Sequence, residues 1–256
     1  MINIISLGAG KQSSYMLLTA LEGKYQYKPD LAIFSDTGCE PQYVYDYLEW
    51  LKDYVKGKYD FDIVIINGGD LMQDTIDFIN GRNRRCATLP FYLSSGGMIR
   101  RQCTGDYKIA PIRRYYQKIR NGRQIRQWIG ISLDEIQRVK DSIAKYIENY
   151  YPLIEKRVTI SEIVTWFEKQ HMEIPGKSSC IVCPFHSDNY WRRFKKEYPV
   201  EFNKICDFDD AIRNRPKLES QCYLHKTLKP LRDIDFSYEP SLFPELIEEC
   251  DGLCGL

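Results

Sequence analysis

Cys180 and Cys183 stand in the run Cys-Ile-Val-Cys-Pro, a spacing that lets two sulfurs reach one metal ion or cluster, or close a redox disulfide. Nine cysteines in 256 residues is a heavy load, and no secretory signal precedes them. Metal or redox chemistry is therefore the expected use, ahead of structural disulfides. A zinc ribbon wants a second pair at similar spacing, and Cys250 and Cys254 are separated by three residues in a glycine-rich end. An iron–sulfur cluster takes four thiolates, which can come from distant points of the chain. Cys103 and Cys222 are the candidates to complete a set with Cys180 and Cys183. Cys39 and Cys86 read as packing residues, and Cys206 fits either use.

The second chemical stretch is Gly8-Ala9-Gly10-Lys11. It lies between the β-branched run Ile2, Ile4, Ile5 and a helical pattern that Gln12-Ser13-Ser14 opens and Met16, Leu17, Leu18 and Leu21 continue. Free amides at a helix N-terminus, with the positive end of the macrodipole behind them, attract an anion, and glycines let a phosphate come close. A Walker-type loop fails twice, because Ile5 stands where its first glycine belongs and Gln12 where Ser or Thr should follow the lysine. A dinucleotide fingerprint fits Gly8 and Gly10 but puts Ser13 at its third glycine. A degenerate pyrophosphatase loop and a βα turn without ligand also fit.

These residues need a frame that presents them together. Pro29 to Ser35 reads as a second buried strand ending at Asp36-Thr37-Gly38, Pro41 to about Tyr54 as a helix, and Phe61 to Asn67 as a third strand. Fully apolar strands alternating with helices predict a doubly wound, mainly parallel α/β sheet covered on both faces. Ligands of such sheets sit outside the carboxyl ends of the strands, so the glycine loop and Asp36 to Gly38 are expected to face each other across a nucleotide crevice. Gln127 to Ser132 reads as a fourth strand, with Asp134, Glu135 and Arg138 on a helix start, and Thr159-x-x-Glu162 as a capping box for a helix from Ile160 to Lys169. Tyr190 to Phe202 is helical and aromatic. A boundary near Pro175 separates a nucleotide-binding domain, 1–175, from a helical, cysteine-containing C-terminal subdomain and tail, 176–256.

The net charge of +1 hides an asymmetry. Between Arg82 and Arg126 the chain carries a dense series of arginines and lysines against the single acid Asp106, so the segment 82–126 is a candidate for binding a polyanion, nucleic acid included. Gly96-Gly97 and the scarcity of strand character predict a loop over the site within Gly81 to Gln127. No stretch has the apolar length of a membrane span, and a cytoplasmic protein is expected.

In order along the chain, these motifs resemble the phosphoadenosine-phosphosulfate reductase family of the adenine-nucleotide α-hydrolase superfamily, in its cluster-bearing branch. Gly8-Ala9-Gly10-Lys11-Gln12-Ser13 is similar to the superfamily's Ser-Gly-Gly-Lys-Asp-Ser loop, with Gln12 in place of the Asp that serves pyrophosphate and magnesium. Phe34-Ser35-Asp36-Thr37-Gly38 resembles its Asp-Thr-Gly signature, and Cys103 with Lys108 and Pro111 its Cys-Cys…Lys…Pro-Leu segment. Gly130 to Arg138, Ser179-Cys180-x-x-Cys183 and the tail Glu249 to Gly255 continue the likeness.

The resemblance implies an adenine nucleotide (ATP, adenosine phosphosulfate or its 3′-phosphorylated form) and a [4Fe–4S] cluster. Gly8, Gly10, Lys11, Ser13 and Ser14 would hold phosphate, with Asp36, Thr37 and Gly38 on the ribose or adenine side. Arg138 and Lys108 would neutralise sulfate or phosphate. In the reductase version, Cys250 or Cys254 attacks sulfur, and a thiol or other electron donor completes turnover. The alternative within the same fold is ATP-dependent thiolation or phosphorothioation of a nucleic acid. From another class comes a nucleic-acid-binding module with structural zinc on Cys180 and Cys183.

Overall fold

The computed structural model describes residues 1–83, 89–216 and 218–237. Chain order opens with β1 (Ile2–Leu7), α1 (Lys11–Leu21), β2 (Leu31–Asp36), α2 (Gln42–Tyr59), β3 (Ile63–Asn67) and α3 (Leu71–Ile79). After the two-residue β4 (Tyr92–Leu93), a π-helical turn over Thr104–Ile109 runs straight into α4 (Ala110–Ile119). Then follow β5 (Ile125–Ile129), a 3-10 helix over Leu133–Arg138, β6 (Ile147–Tyr150), α5 (Pro152–Glu155) and α6 (Ile160–Lys169). The last described part holds α7 (Asp188–Glu197), α8 (Pro199–Ala211) and β7 (Cys222–Tyr223).

Five strands form one parallel sheet in the order β3-β2-β1-β5-β6. Alternate residues of each strand feed opposite faces, as the two-residue side-chain period requires. Ile5 and Leu7 of β1, with Ala32 and Phe34 of β2, pack beneath α1, α2 and α6, where Leu17, Leu18, Leu48, Leu51 and Phe167 are buried. Ile2, Ile4 and Ile33 face the other way, against Ile112 and Tyr116 of α4. The expected α/β sheet with helices on both faces is the observed one. A third apolar cluster joins Cys39, Leu71, Phe91 and Tyr107 to Trp191, Phe194, Ile205 and Phe208 of α7 and α8, beside the small antiparallel pair β4-β7. Among the described residues no helix is long and apolar enough to cross a membrane.

Several boundaries differ from expectation, each for a local reason. Helix α2 runs on to Tyr59 and stops where Asp60 takes a left-handed φ of 48°. The fourth strand starts at Ile125, because register with β1 pairs Ile2 with Ile125, and it ends before Gly130. The helical stretch from Tyr190 splits at Tyr198, where Pro199 begins α8 without an amide to continue α7. Among the described residues five elements have no counterpart in the expectation: α3, β4, α5, β6 and β7. Helix α3 starts at Asp70, which accepts from the Gln73 amide at 2.9 Å. The box at Thr159 and Glu162 forms as expected.

Candidate active site

The strand order reverses at β1, whose neighbours are β2 on one side and β5 on the other. At such a reversal the loops leaving the two central strands diverge and open a crevice. Here it has a volume of about 460 Å³. The loop after β1 (Gly8, Gly10 to Ser13), the loop after β5 (Gly130, Ile131), Glu135 and Arg138 of the 3-10 helix, and Gly176 to Ser178 all line it.

No side chain caps α1 at Gly10, no acid occupies its first turn, and its first intrahelical bond is Ser14 N–H to Gly10 O at 3.0 Å. The amides of Lys11 to Ser13 precede that bond and point their dipoles out of the helix start. Ser13 Oγ accepts from Gly8 N at 3.2 Å and donates to Gly10 O at 3.3 Å, which folds the loop onto itself. Ala9 is forced to a left-handed φ of 58° in this turn. Ser178 donates to Gly8 O and clamps the loop from outside.

Gln12 is spoken for. Its Nε2 donates to Ser132 Oγ at 2.9 Å and to Glu135 Oε2 at 2.8 Å, and Glu135 in turn holds Arg138. Gln12 thus fastens the β1 loop to the β5 side and, through Glu135, sets the position of Arg138. Gly130 makes that approach possible, since a Cβ there would lie 2.9 Å from Ser13 Cα. Lys11, Lys108, Arg113, Arg138, Lys140 and Lys177 line the crevice against the acids Glu135 and Asp141, so its field favours a polyanionic ligand.

A second, smaller cavity of about 30 Å³ lies next to it, and Cys103, Cys180 and Cys183 line it together with Thr37, Tyr107 and Lys108. Three distant segments converge there. Cys103 precedes the π-helical turn, a form that concentrates at functional sites. Cys180 and Cys183 sit on a tight turn closed by Cys183 N–H to Cys180 O at 3.0 Å. Cys180 Sγ lies 3.5 Å from Thr37 Oγ1 and 3.8 Å from Glu40 Oε1. Lys108 lines both cavities, with its Nζ 3.0 Å from Glu40 Oε1.

The predicted residues therefore separate into groups. Gly8, Gly10, Lys11, Ser13, Lys108 and Arg138 surround the crevice. Ser14 is fully buried on the inner side of α1 and does not line it. Nor do Asp36 and Gly38: Asp36 Oδ1 accepts from the Gly38 amide and from Tyr45 OH, at 2.9 and 2.8 Å. Thr37 faces the thiols instead. Cys222 does not join Cys103, Cys180 and Cys183; it is fully buried in β7 and paired with Leu93 of β4. Cys250, Cys254 and Cys86 lie outside the described residues.

The basic segment is divided. Lys108 and Arg113 face the crevice, whereas Arg126 at the far end of the sheet pairs with Glu148 and stacks over Tyr27, and Arg120 stacks over Tyr146.

Two further residues border the thiols: Cys39, which is buried in the core as its reading as a packing residue expects, and Glu40, which the sequence reasoning did not single out. Cys39 hydrogen-bonds Cys180, and that bond, with complete burial, holds its thiol well above the ordinary value. Glu40 has a fully buried side chain and one oxygen, Oε2, without a hydrogen-bond partner among the described residues. Their position directly after Asp36-Thr37-Gly38 was the only available signal.

Cys39, Cys180, Cys206 and Cys222 are free thiols. Three soft sulfur donors around one cavity suit an iron–sulfur centre by donor chemistry. Among the described residues no group of three or more His, Cys, Asp or Glu converges to hold a single metal ion.

No family model matches the chain, and no curated protein matches it. Among solved structures, the U34-tRNA thiolase NcsA of Methanococcus maripaludis, determined with its [4Fe–4S] cluster, is similar over 85% of this chain and 74% of its own. The sequence identity is 14% and the TM-score 0.43.

Proposed function

We propose that this chain is an adenine-nucleotide-dependent sulfur-transfer enzyme that thiolates a nucleic acid. The observation that carries the proposal is the shared wall: an anion-binding crevice at the reversal of a parallel sheet and a cavity lined by three thiols meet at Lys108. The crevice binds the phosphates of ATP through the α1 amides, Lys11 and Arg138, and brings the activated acceptor position to the thiol side. Cys103, Cys180 and Cys183 would hold an iron–sulfur centre, which supplies the sulfur when bound. Lys108 stabilises negative charge between the two.

A second reading, reduction of a sulfonucleotide, is favoured by Gln12. That side chain is neutral and already committed to Ser132 and Glu135, where a loop that cleaves ATP carries a magnesium-serving Asp. In that reading Cys250 or Cys254 is the nucleophile.

Metal and sulfide analysis of anaerobically purified protein tests the shared part. Iron and acid-labile sulfide near four each per chain are expected, with both lost in Cys180→Ser and retained in Cys222→Ser. Stoichiometric zinc without iron refutes the centre. Calorimetry with ATP beside adenosine phosphosulfate separates the two readings: tighter ATP binding that persists in Cys250→Ser/Cys254→Ser supports thiolation, and exclusive sulfonucleotide binding refutes it.

A further inference from the structure

Glu40 is the least comfortable side chain near the site. Its carboxylate is fully buried, Oε2 has no hydrogen-bond partner among the described residues, and Oε1 is shared between Lys108 Nζ at 3.0 Å and Cys180 Sγ at 3.8 Å. A buried carboxylate with one unsatisfied oxygen costs stability, and folds keep such groups where they serve a purpose. Lys108 is its counter-ion, and Lys108 is also the residue whose side chain lines both the crevice and the thiol cavity. The cation is 23% exposed while its acid is wholly enclosed, so Lys108 has room to turn and Glu40 does not.

We infer that Glu40 is a positioning residue that draws Lys108 back to the thiol side of the wall, so that an anionic group entering the crevice must compete with Glu40 for this cation. The inference rests on the nucleotide reading of the crevice. A phosphate oxygen that draws the Lys108 ammonium toward the crevice pulls it off the 3.0 Å contact with Glu40, and the buried carboxylate loses part of its compensation. Glu40 therefore weakens ligand binding through Lys108, and removing its charge releases the lysine to the ligand. Glu40 does not compete for Arg138, which is held by Glu135 on the opposite wall.

The test is a double-mutant cycle on ATP affinity, measured by calorimetry with Glu40→Gln, Lys108→Met and the double variant. Glu40→Gln is expected to bind ATP about tenfold more tightly, and Lys108→Met more weakly, than the unsubstituted chain. In the Lys108→Met background, Glu40→Gln should change the affinity less than about twofold. A through-space effect of removing one negative charge would instead persist in that background, and its persistence overturns the inference. So does an unchanged or weaker affinity of Glu40→Gln. Glutamine matches the shape of glutamate and removes a buried charge, and thermal melting of all four proteins reports whether each is folded. Should Glu40→Gln alone fail to fold, the double variant compared with Lys108→Met carries the same comparison, an effect above twofold refuting. Absence of ATP and sulfonucleotide binding by the unsubstituted chain overturns the nucleotide reading and this inference with it. Normal binding with an inert Glu40→Gln overturns this inference alone.

Discussion

Gly130→Ala is the substitution that most directly probes how the crevice is held open. A Cβ at Gly130 would stand 2.9 Å from Ser13 Cα, 3.0 Å from Ser13 N and 3.1 Å from Gln12 C, all of them backbone atoms that no side-chain rotation can clear. Carbon atoms pack at about 3.5–4.0 Å, so the start of α1 must move by about 0.6 Å or more away from the end of β5. Overpacking of this kind costs roughly 1–3 kcal/mol. At about 2–4 °C per kcal/mol for a chain of this size, the melting temperature should fall by roughly 2–12 °C. The same displacement pulls the α1 amides off the ligand, and losing one charge-assisted hydrogen bond of about 1.5 kcal/mol weakens ATP about tenfold. Differential scanning calorimetry and a binding titration measure both. Gly57→Ala is the control: Gly57 is exposed within α2 and has nothing within 4 Å of the added carbon, so alanine there should stabilise by roughly 0.5–1 kcal/mol. A Gly130→Ala protein that melts and binds like the parent would refute the close-approach account of the crevice.

Other perturbations follow from single features. Ala9→Gly relieves a buried left-handed alanine at φ 58° and should raise stability by up to about 1 kcal/mol in chemical denaturation, with ligand affinity kept. Asp209 is fully buried and accepts from Leu224 N, Leu231 N and Arg213, so Asp209→Ala strands all three and should cost about 3–5 kcal/mol by the same assay. His225 has its pKa lowered, chiefly because burial disfavours the cation and despite the pull of Asp188. The unfolded chain then takes up the proton first as pH falls through about 6.5, so stability declines below that pH, and His225→Gln should flatten the decline in a melting-temperature profile.

Strands β1, β2 and β3 were readable because they are largely apolar runs bounded by Gly, Pro and Asp, and because Ile2, Ile4 and Ile5 can only be buried on two faces at once. The glycine loop was readable for the same local reason. Helix α3 was missed because Leu71 to Ile79 follows Gly68-Gly69 and carries polar residues along its outer side, and β6 because only four residues, Ile147 to Tyr150, make it. What no local pattern could show is partnership across the chain. Gln12 looked like a defect in a motif until Ser132 and Glu135, more than a hundred positions away, were found at its amide. Glu40 belongs to no motif, and its burial and the Lys108 ammonium at its carboxylate appear only in three dimensions. The placement of Thr37 toward the thiols has the same origin: the direction in which a strand-end residue points depends on the turn that follows it.

The pairing of β1 with β5, Ile2 to Ser6 against Ile125 to Ile129, also has a consequence for how the chain is made. The residues from Gln12 to Ser132 are separated by 120 positions, which takes roughly 6–24 s to synthesise at 5–20 residues per second. Through that interval β1 emerges with one edge of its ladder unfilled, open to pairing with any other extended strand. A ligand of the crevice cannot protect the early half, because the wall carrying Gly130, Glu135 and Arg138 does not yet exist. Yield in the cell should therefore depend on how the nascent strand edge is shielded more than on ligand supply.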